Sequence, residues 1–231
     1  MKNKQELKRE KIHNFTSLRS VMEILRGEEG CPWDREQTHE SIRKCLIEET
    51  YEVVEAIDTK NTTLLREELG DLLFQVMFHA RIEEEKGTFT IDDVIQDITE
   101  KMIHRHPHVF EEEKAADSEA VIQNWEEIKS KEKQIKSVSQ ALHRVPPCLP
   151  ALMRAQKIQG KARKKLSVGY GSKEDALDAG RKCLEGAVRK EDICETLADT
   201  VFALCAAAEL AGVDLEAALS HRCDAFLKNM E

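Results

Sequence analysis

Aromatic residues are scarce in this chain: 5% of 231 residues, against 34% charged. That balance suits packed helices better than a β-sandwich, whose strands draw on rings and β-branched side chains. Sustained period-two alternation is also missing, so no stretch reads as a half-buried strand. Prolines number five and glycines ten, too few for a turn-rich β architecture. No apolar run reaches the length of a membrane span. The opening segment, "MKNKQELKREKIHNF", is charged and has no apolar h-region, so it does not read as a signal peptide. The seven cysteines form no CxxC pair and their count is odd. They read as reduced thiols, mostly core filler, and the expected setting is the cytoplasm. Basic residues are outnumbered, 35 to 44, giving a formal net charge of −9. Such an excess of acid argues against a general nucleic-acid or membrane-surface binder.

Apolar residues instead recur at three and four. This period predicts helices at Asn14–Arg26, Ser41–Asp58, Thr63–Lys86, Ile91–His104 and Ser118–Gln134. "DTKNTT" is a helix–helix turn with Asn61, Thr62 or Thr63 as cap. "KGTFTIDD" places Thr90 as cap and Asp93 at the capping-box position. Pro107 in "HRHPHVF" ends a helix. Three prolines in five residues (Pro146, Pro147, Pro150) mark a linker. The expected organisation is a helical domain over 1–140, a proline-containing linker over 141–155 and a shorter helical domain over 156–231.

The two halves share a pattern. Glu67–Gly87 can be laid over Glu195–Gly212, so that Glu67 meets Glu195, Asp71 meets Asp199 and Phe74 meets Phe202. Glu68, however, meets Thr196. Ahead of the second stretch, "EDALD" (Glu174–Asp178) is the nearest counterpart to EExxE. The pattern predicts duplication of one helical unit, with the chemistry kept in the first copy.

That chemistry centres on "CLIEETYEVVEAIDTKNTTLLREELGD". Glu49 and Glu52 are i and i+3 on one helix, and Glu48 and Glu52 are i and i+4. Glu68 and Asp71 are i and i+3 on the next. A short turn makes the two helices antiparallel neighbours, so the carboxylates can converge. Converging oxygens with no Lys or Arg at their level suit a hard cation, Mg²⁺ or Mn²⁺; Zn²⁺ would prefer Cys or His. The bland alternative is a solvated charged face. Downstream, Lys101 and Arg105 are i and i+4, as are Trp125 and Lys129. Cations and a ring near a metal cluster are what a nucleoside triphosphate requires. "GCPWDREQT" (Gly30–Thr38) lies between helices. Asp34 there is a possible cap, and Trp33 and Gln37 are either a wall for a substrate base or part of a structural turn. His104, His106 and His108 alternate, but Pro107 breaks the run and a Zn²⁺ site is not expected. "VGYGSKED" lacks the GKS or GKT of a P-loop.

Taken in order, "GCPWDREQT", "EETYEV", "EELGDLLFQV", "RHPHVF", "NWEEIK" and "LPALMRAQKIQ" resemble the MazG family of all-α nucleoside triphosphate pyrophosphohydrolases. The likeness is close from about Ser17 to Gly160 and looser beyond. It implies tandem helical bundles with a degenerate second copy, and a homodimer. It also implies Mg²⁺-dependent hydrolysis of NTP or dNTP to the monophosphate and pyrophosphate. By motif, Glu49, Glu52, Glu68 and Asp71 would hold the metal, and Lys101, Arg105, Trp125 and Lys129 the substrate. Glu48 or Glu49 would accept the proton of the attacking water. The second half departs from the pattern at Thr196, and "HRCDAFLKNME" gives no clear Lys-x-x-x-Arg. A different expectation follows if turnover has been lost: a nucleotide-binding or regulatory interaction module.

Overall fold

In a computed structural model of the chain, residues 2–111, 117–132, 137–166, 168–187 and 193–230 are described, and all regular structure among them is helical. The chain divides into two units, Met1–Val121 and Ile122–Glu231. The first contains α1 (Lys4–Arg9), α2 (Phe15–Arg26), α3 (Pro32–Glu36), α4 (His39–Asp58), α5 (Thr62–Glu85), α6 (Ile91–Arg105) and α7 (Pro107–Phe110). Next comes α8 (Ser118–Glu132), which spans the division. The second unit continues with α9 (Val138–His143), α10 (Ala151–Leu166), α11 (Lys173–Ala187), α12 (Ile193–Ala211) and α13 (Leu215–Lys228). The division therefore falls inside α8, ahead of the proline-rich stretch. Pro146, Pro147 and Pro150 occupy the connection from α9 to α10 within the second unit.

The helix boundaries follow local chemistry. The side chains of Asn14, Asn61 and Thr90 accept hydrogen bonds from the first turns of α2, α5 and α6, and Asp93 completes a capping box. The cap of α4 is Thr38, not Asp34; Asp34 lies inside α3, where it is buried. Gly30 is dictated by close approach. A Cβ there would lie 2.2 Å from the Leu25 carbonyl oxygen, so only glycine lets the chain fold back over the end of α2.

The core of the first unit joins Met22 of α2, Ile42 of α4, Met77, Phe78 and Ile82 of α5, and Ile91 of α6. Phe74 meets Phe78 edge to face at 6.0 Å between ring centroids. Arg26 secures the "GCPWDREQT" loop to this core. Its guanidinium lies 5.2 Å over the Phe78 ring, donates to the carbonyl oxygens of Asp34 and Gln37, and pairs with Glu85.

The second unit is packed from small residues: Ala176 of α11 with Ala206 and Ala207 of α12, flanked by Tyr170 and Leu210. All seven cysteines are free, and Cys205 alone is buried. The expectation of cysteine as core filler therefore holds for one residue; Cys148, Cys194 and Cys223 lie on exposed helix and turn positions. No single helix among the described residues is long and apolar enough to cross a membrane.

Candidate metal centre

Helices α4 and α5 form a tight antiparallel hairpin through the turn at Thr59–Asn61. Two bonds close it: the Lys60 amide donates to the Ile57 carbonyl and the Asn61 amide to the Ala56 carbonyl. Lys60 takes φ +54 to do so, the only non-glycine residue with positive φ among those described. With this turn fixed, the i, i+3 spacing on each helix sets the two carboxylate pairs facing one another.

Glu49, Glu68 and Asp71 can each direct one carboxylate oxygen into a set lying within 4.8 Å of one another. Glu68 is buried at 9% exposure, Glu49 is half-buried and Asp71 is exposed. Burial comes first, and the negative charges of Glu52 and Asp71 second, in pushing Glu49 above the ordinary carboxylate range; Glu68 is raised for the same reasons in the same order. Glu52 therefore bears on both, although it falls outside the closest triad. None of the ion pairs among the described residues brings a Lys or Arg to Glu49, Glu52, Glu68 or Asp71. A concentration of negative charge without protein cations fits an oxygen-liganded divalent ion.

The other sequence candidates are more dispersed. Glu48 is exposed and pairs with Lys44 at 2.9 Å, on the solvent side of α4. Arg105 is buried and Lys101 exposed, one turn apart at the C-terminal end of α6. Trp33 is 59% exposed on α3, so a buried structural tryptophan is ruled out there. The Gln37 amide donates to the Trp33 carbonyl and accepts from the Ser41 hydroxyl, so both ends hold the α3–α4 turn. That turn is ten residues, about 15 Å, from Glu49 along α4. Trp125 and Lys129 do meet each other, with the ammonium 4.3 Å over the ring, and they belong to the second unit. His106 and His108 stand 5.7 Å apart by ring centroid, and no metal-ligating group among the described residues includes them.

Sequence reasoning missed a histidine pair. His39 and His79 stack with ring planes 7° apart, their Nδ1 atoms 2.7 Å from each other. The His39 Nε2 lies 2.6 Å from Glu83, and hydrogen bonds from Lys86, Thr88 and His39 draw the Glu83 pKa down to about 2. The residues are far apart in sequence, and only the antiparallel register of α4 and α5 reveals the pair.

Residues 37–110 match the model of the MazG nucleotide pyrophosphohydrolase domain. The chain is 41% identical over 223 residues to the nucleoside triphosphate pyrophosphohydrolase/pyrophosphatase MazG of Thermotoga maritima, covering 94% of this chain and 84% of that protein. It is 47% identical over 149 residues to the nucleoside triphosphate pyrophosphohydrolase of Escherichia coli K12, covering 64% of this chain and 57% of the other. To the uncharacterized protein YabN of Bacillus subtilis it is 52% identical over 155 residues, which span 32% of that longer protein.

Proposed function

The chain belongs to the MazG family, and from that membership we propose that it is a divalent-cation-dependent nucleoside triphosphate pyrophosphohydrolase. The reaction takes an NTP or dNTP to the monophosphate and pyrophosphate. The observation that carries this reading is the convergence of Glu49, Glu68 and Asp71 within 4.8 Å, reinforced by Glu52. These four carboxylates are assigned the cation, Mg²⁺ with Mn²⁺ as a substitute. A bound divalent ion supplies positive charge to the phosphates and acidifies water.

Around it, the chain's own groups divide the remaining work. Glu49 is better placed than Glu48 to receive the proton of the attacking water, because Glu48 faces solvent and is paired with Lys44. Water attacks the α-phosphorus, the bond to the bridging oxygen breaks, and pyrophosphate leaves. By motif, Lys101 and Arg105 are assigned the phosphate charge. Trp33, exposed at the mouth of the α3–α4 turn, is the candidate for contact with the base. A cytoplasmic setting agrees with this substrate and with the free thiols.

The apolar face left open on the first unit supports a homodimer. Tyr51, Val54, Leu69, Leu73, Ile95 and Ile98 are all exposed on α4, α5 and α6. Sedimentation of wild type against Val54→Glu tests it, the expected result being a dimer that the charge splits.

The activity is tested by pyrophosphate release from a panel of NTPs and dNTPs with Mg²⁺, comparing wild type with Glu68→Gln. Release that disappears in the variant is the expected result. Nucleotide binding without release from any substrate would replace the enzyme by a binding module. Release untouched by the substitution would move the site elsewhere.

A further inference from the structure

The second unit contains a cavity of about 560 Å³ bounded by α8, α9, α10 and the end of α12. Its wall carries five cations: Lys129, Arg144, Lys157, Lys161 and Lys164. Two acids face them, Glu126 and Glu209. Glu209 is already engaged by Arg163, which donates to both its oxygens at 3.0 and 2.9 Å. In a chain of net charge −9, such a concentration of positive charge around one hollow runs against the overall field.

The arrangement is built by helical spacing. Lys157, Lys161 and Lys164 are i, i+4 and i+7, so one face of α10 supplies three of the five cations. Gly160 lies on the same face and has no side chain to fill the hollow. A Cβ there would come 2.7 Å from Oε1 of Glu209. Opposite, Ala141 and Val145 of α9 and the turn after it form a buried apolar floor at 2% and 4% exposure. Two of the cations are held in place by the protein. The Lys129 ammonium sits over the Trp125 ring, and the Lys161 ammonium donates to the Ala141 carbonyl at 3.4 Å. The "LPALMRAQKIQ" stretch leads into this helix and fixes its position. Gln156 donates to the Val213 carbonyl at 2.7 Å and accepts from the Leu215 amide at 3.1 Å, tying α10 to the turn before α13.

We infer that this cavity is an anion site for an oligophosphate chain, lined wholly by residues of the second unit. Clustered ammonium and guanidinium groups on a concave wall match several linked phosphates better than a single carboxylate. The oligophosphate has two possible sources, a free inorganic chain or the tail of a nucleotide. Lys129, conspicuous in sequence for its spacing from Trp125, thereby acquires four cationic neighbours that no motif indicated.

The test is calorimetric titration of the full chain with inorganic tripolyphosphate, pyrophosphate and ATP in turn, in excess chelator. Without divalent ions the acidic cluster of the first unit repels these anions. The expected result is saturable binding of one tripolyphosphate per chain. Arg144→Gln and Lys157→Gln should each weaken it about tenfold or more, while Glu68→Gln leaves it unchanged. Both positions are exposed, and an unaltered melting profile verifies the fold of each variant. Tighter binding of ATP than of tripolyphosphate identifies the nucleotide as source; equal binding identifies the free chain. No binding by wild type at millimolar ligand overturns the proposal. So does binding that survives Arg144→Gln and Lys157→Gln together, or binding that changes with Glu68→Gln.

Discussion

The hairpin α4–α5 and the hairpin α11–α12 share a pattern of burial and differ in what they bury. Along α5 and α12, burial recurs with an offset of 128 residues. Met77 and Cys205 are buried, as are Phe78 and Ala206, whereas Leu69 and Leu197, Leu73 and Val201, and Val76 and Leu204 are exposed in pairs. Glu68 and Thr196 are both buried, at 9% and 7%. Their chemistry differs. In the first hairpin a buried glutamate meets other carboxylates and its proton affinity rises. In the second, Thr200 donates to the Thr196 carbonyl at 2.8 Å, and α11 comes in close: a Cβ on Gly180 would already touch Ala203 at 3.6 Å. Asp178, the nearest counterpart to the EExxE acids, is claimed by Lys182 and Arg181, which hold its carboxyl below the ordinary range. The second hairpin is thus packed by small residues, whereas the first gathers carboxylates that no Lys or Arg among the described residues neutralises, and only the first presents a converging set of ligand oxygens among those residues.

The sharpest way to break this comparison is to treat the matched aspartates alike. Asp71→Asn should lower pyrophosphate release by at least about a hundredfold, because one of three converging oxygens loses its charge. Asp199→Asn, at the matched position, should leave the rate within experimental error. Equal effects in steady-state assays, or an active Asp71→Asn, would show that the two hairpins do not differ in function as their packing implies.

Next in size is an exchange of the residues that differ. Thr196→Glu forces a carboxylate into a buried position among small side chains. It should cost about 2–4 kcal/mol in denaturant unfolding. The reverse change, Glu68→Thr, removes a repelled buried charge and should raise the metal-free stability while ending cation binding. A tolerated Thr196→Glu would mean that the second hairpin accommodates a buried carboxylate as the first does.

Much of this comparison was legible in the sequence. Period and caps located α2, α4, α5 and α6 to within a residue or two, because Asn14, Asn61 and Thr90 are strong local signals. The i, i+3 spacings brought Glu49, Glu68 and Asp71 together once a short turn was assumed. Side-chain direction was harder. Glu48 follows the same spacing rule as Glu49, yet Lys44 one turn earlier draws it to solvent. The division at Val121 was hidden because α8 runs through it without any proline or glycine. The basic cavity was hidden for another reason: its cations come from α8, α10 and the turn after α9, and each set alone resembles an ordinary solvated face.

The acid–base behaviour of the two hairpins should differ as well, by a smaller amount. Glu49 and Glu68 have folded pKa values above their unfolded ones. Each therefore binds its proton more tightly when folded, and its stabilising contribution is lost as pH rises through the raised folded value. In metal-free protein, the gain in Tm of Glu68→Gln over wild type should accordingly grow from the carboxylate range up to neutral pH. Mg²⁺ should close the gap by stabilising wild type alone. Asp178 is depressed, so its contribution is kept at neutral pH and lost on acidification. Asp178→Asn should therefore show the opposite trend in the same melting series.

The smallest effect concerns the turn that sets the first hairpin's register. Gly87, Gly169 and Gly212 take up positive φ elsewhere, while Lys60 does so with a side chain. Left-handed backbone costs a non-glycine residue roughly 1–2 kcal/mol, and glycine's greater unfolded entropy takes back part of the relief. Lys60→Gly should then stabilise the chain by about 0.5–1 kcal/mol in urea unfolding and leave turnover unaltered, since the register is fixed by the Asn61 and Lys60 amides rather than by the lysine side chain. A loss of turnover with unchanged stability would instead assign the Lys60 ammonium, at the closed end of the hairpin, a part in holding the substrate.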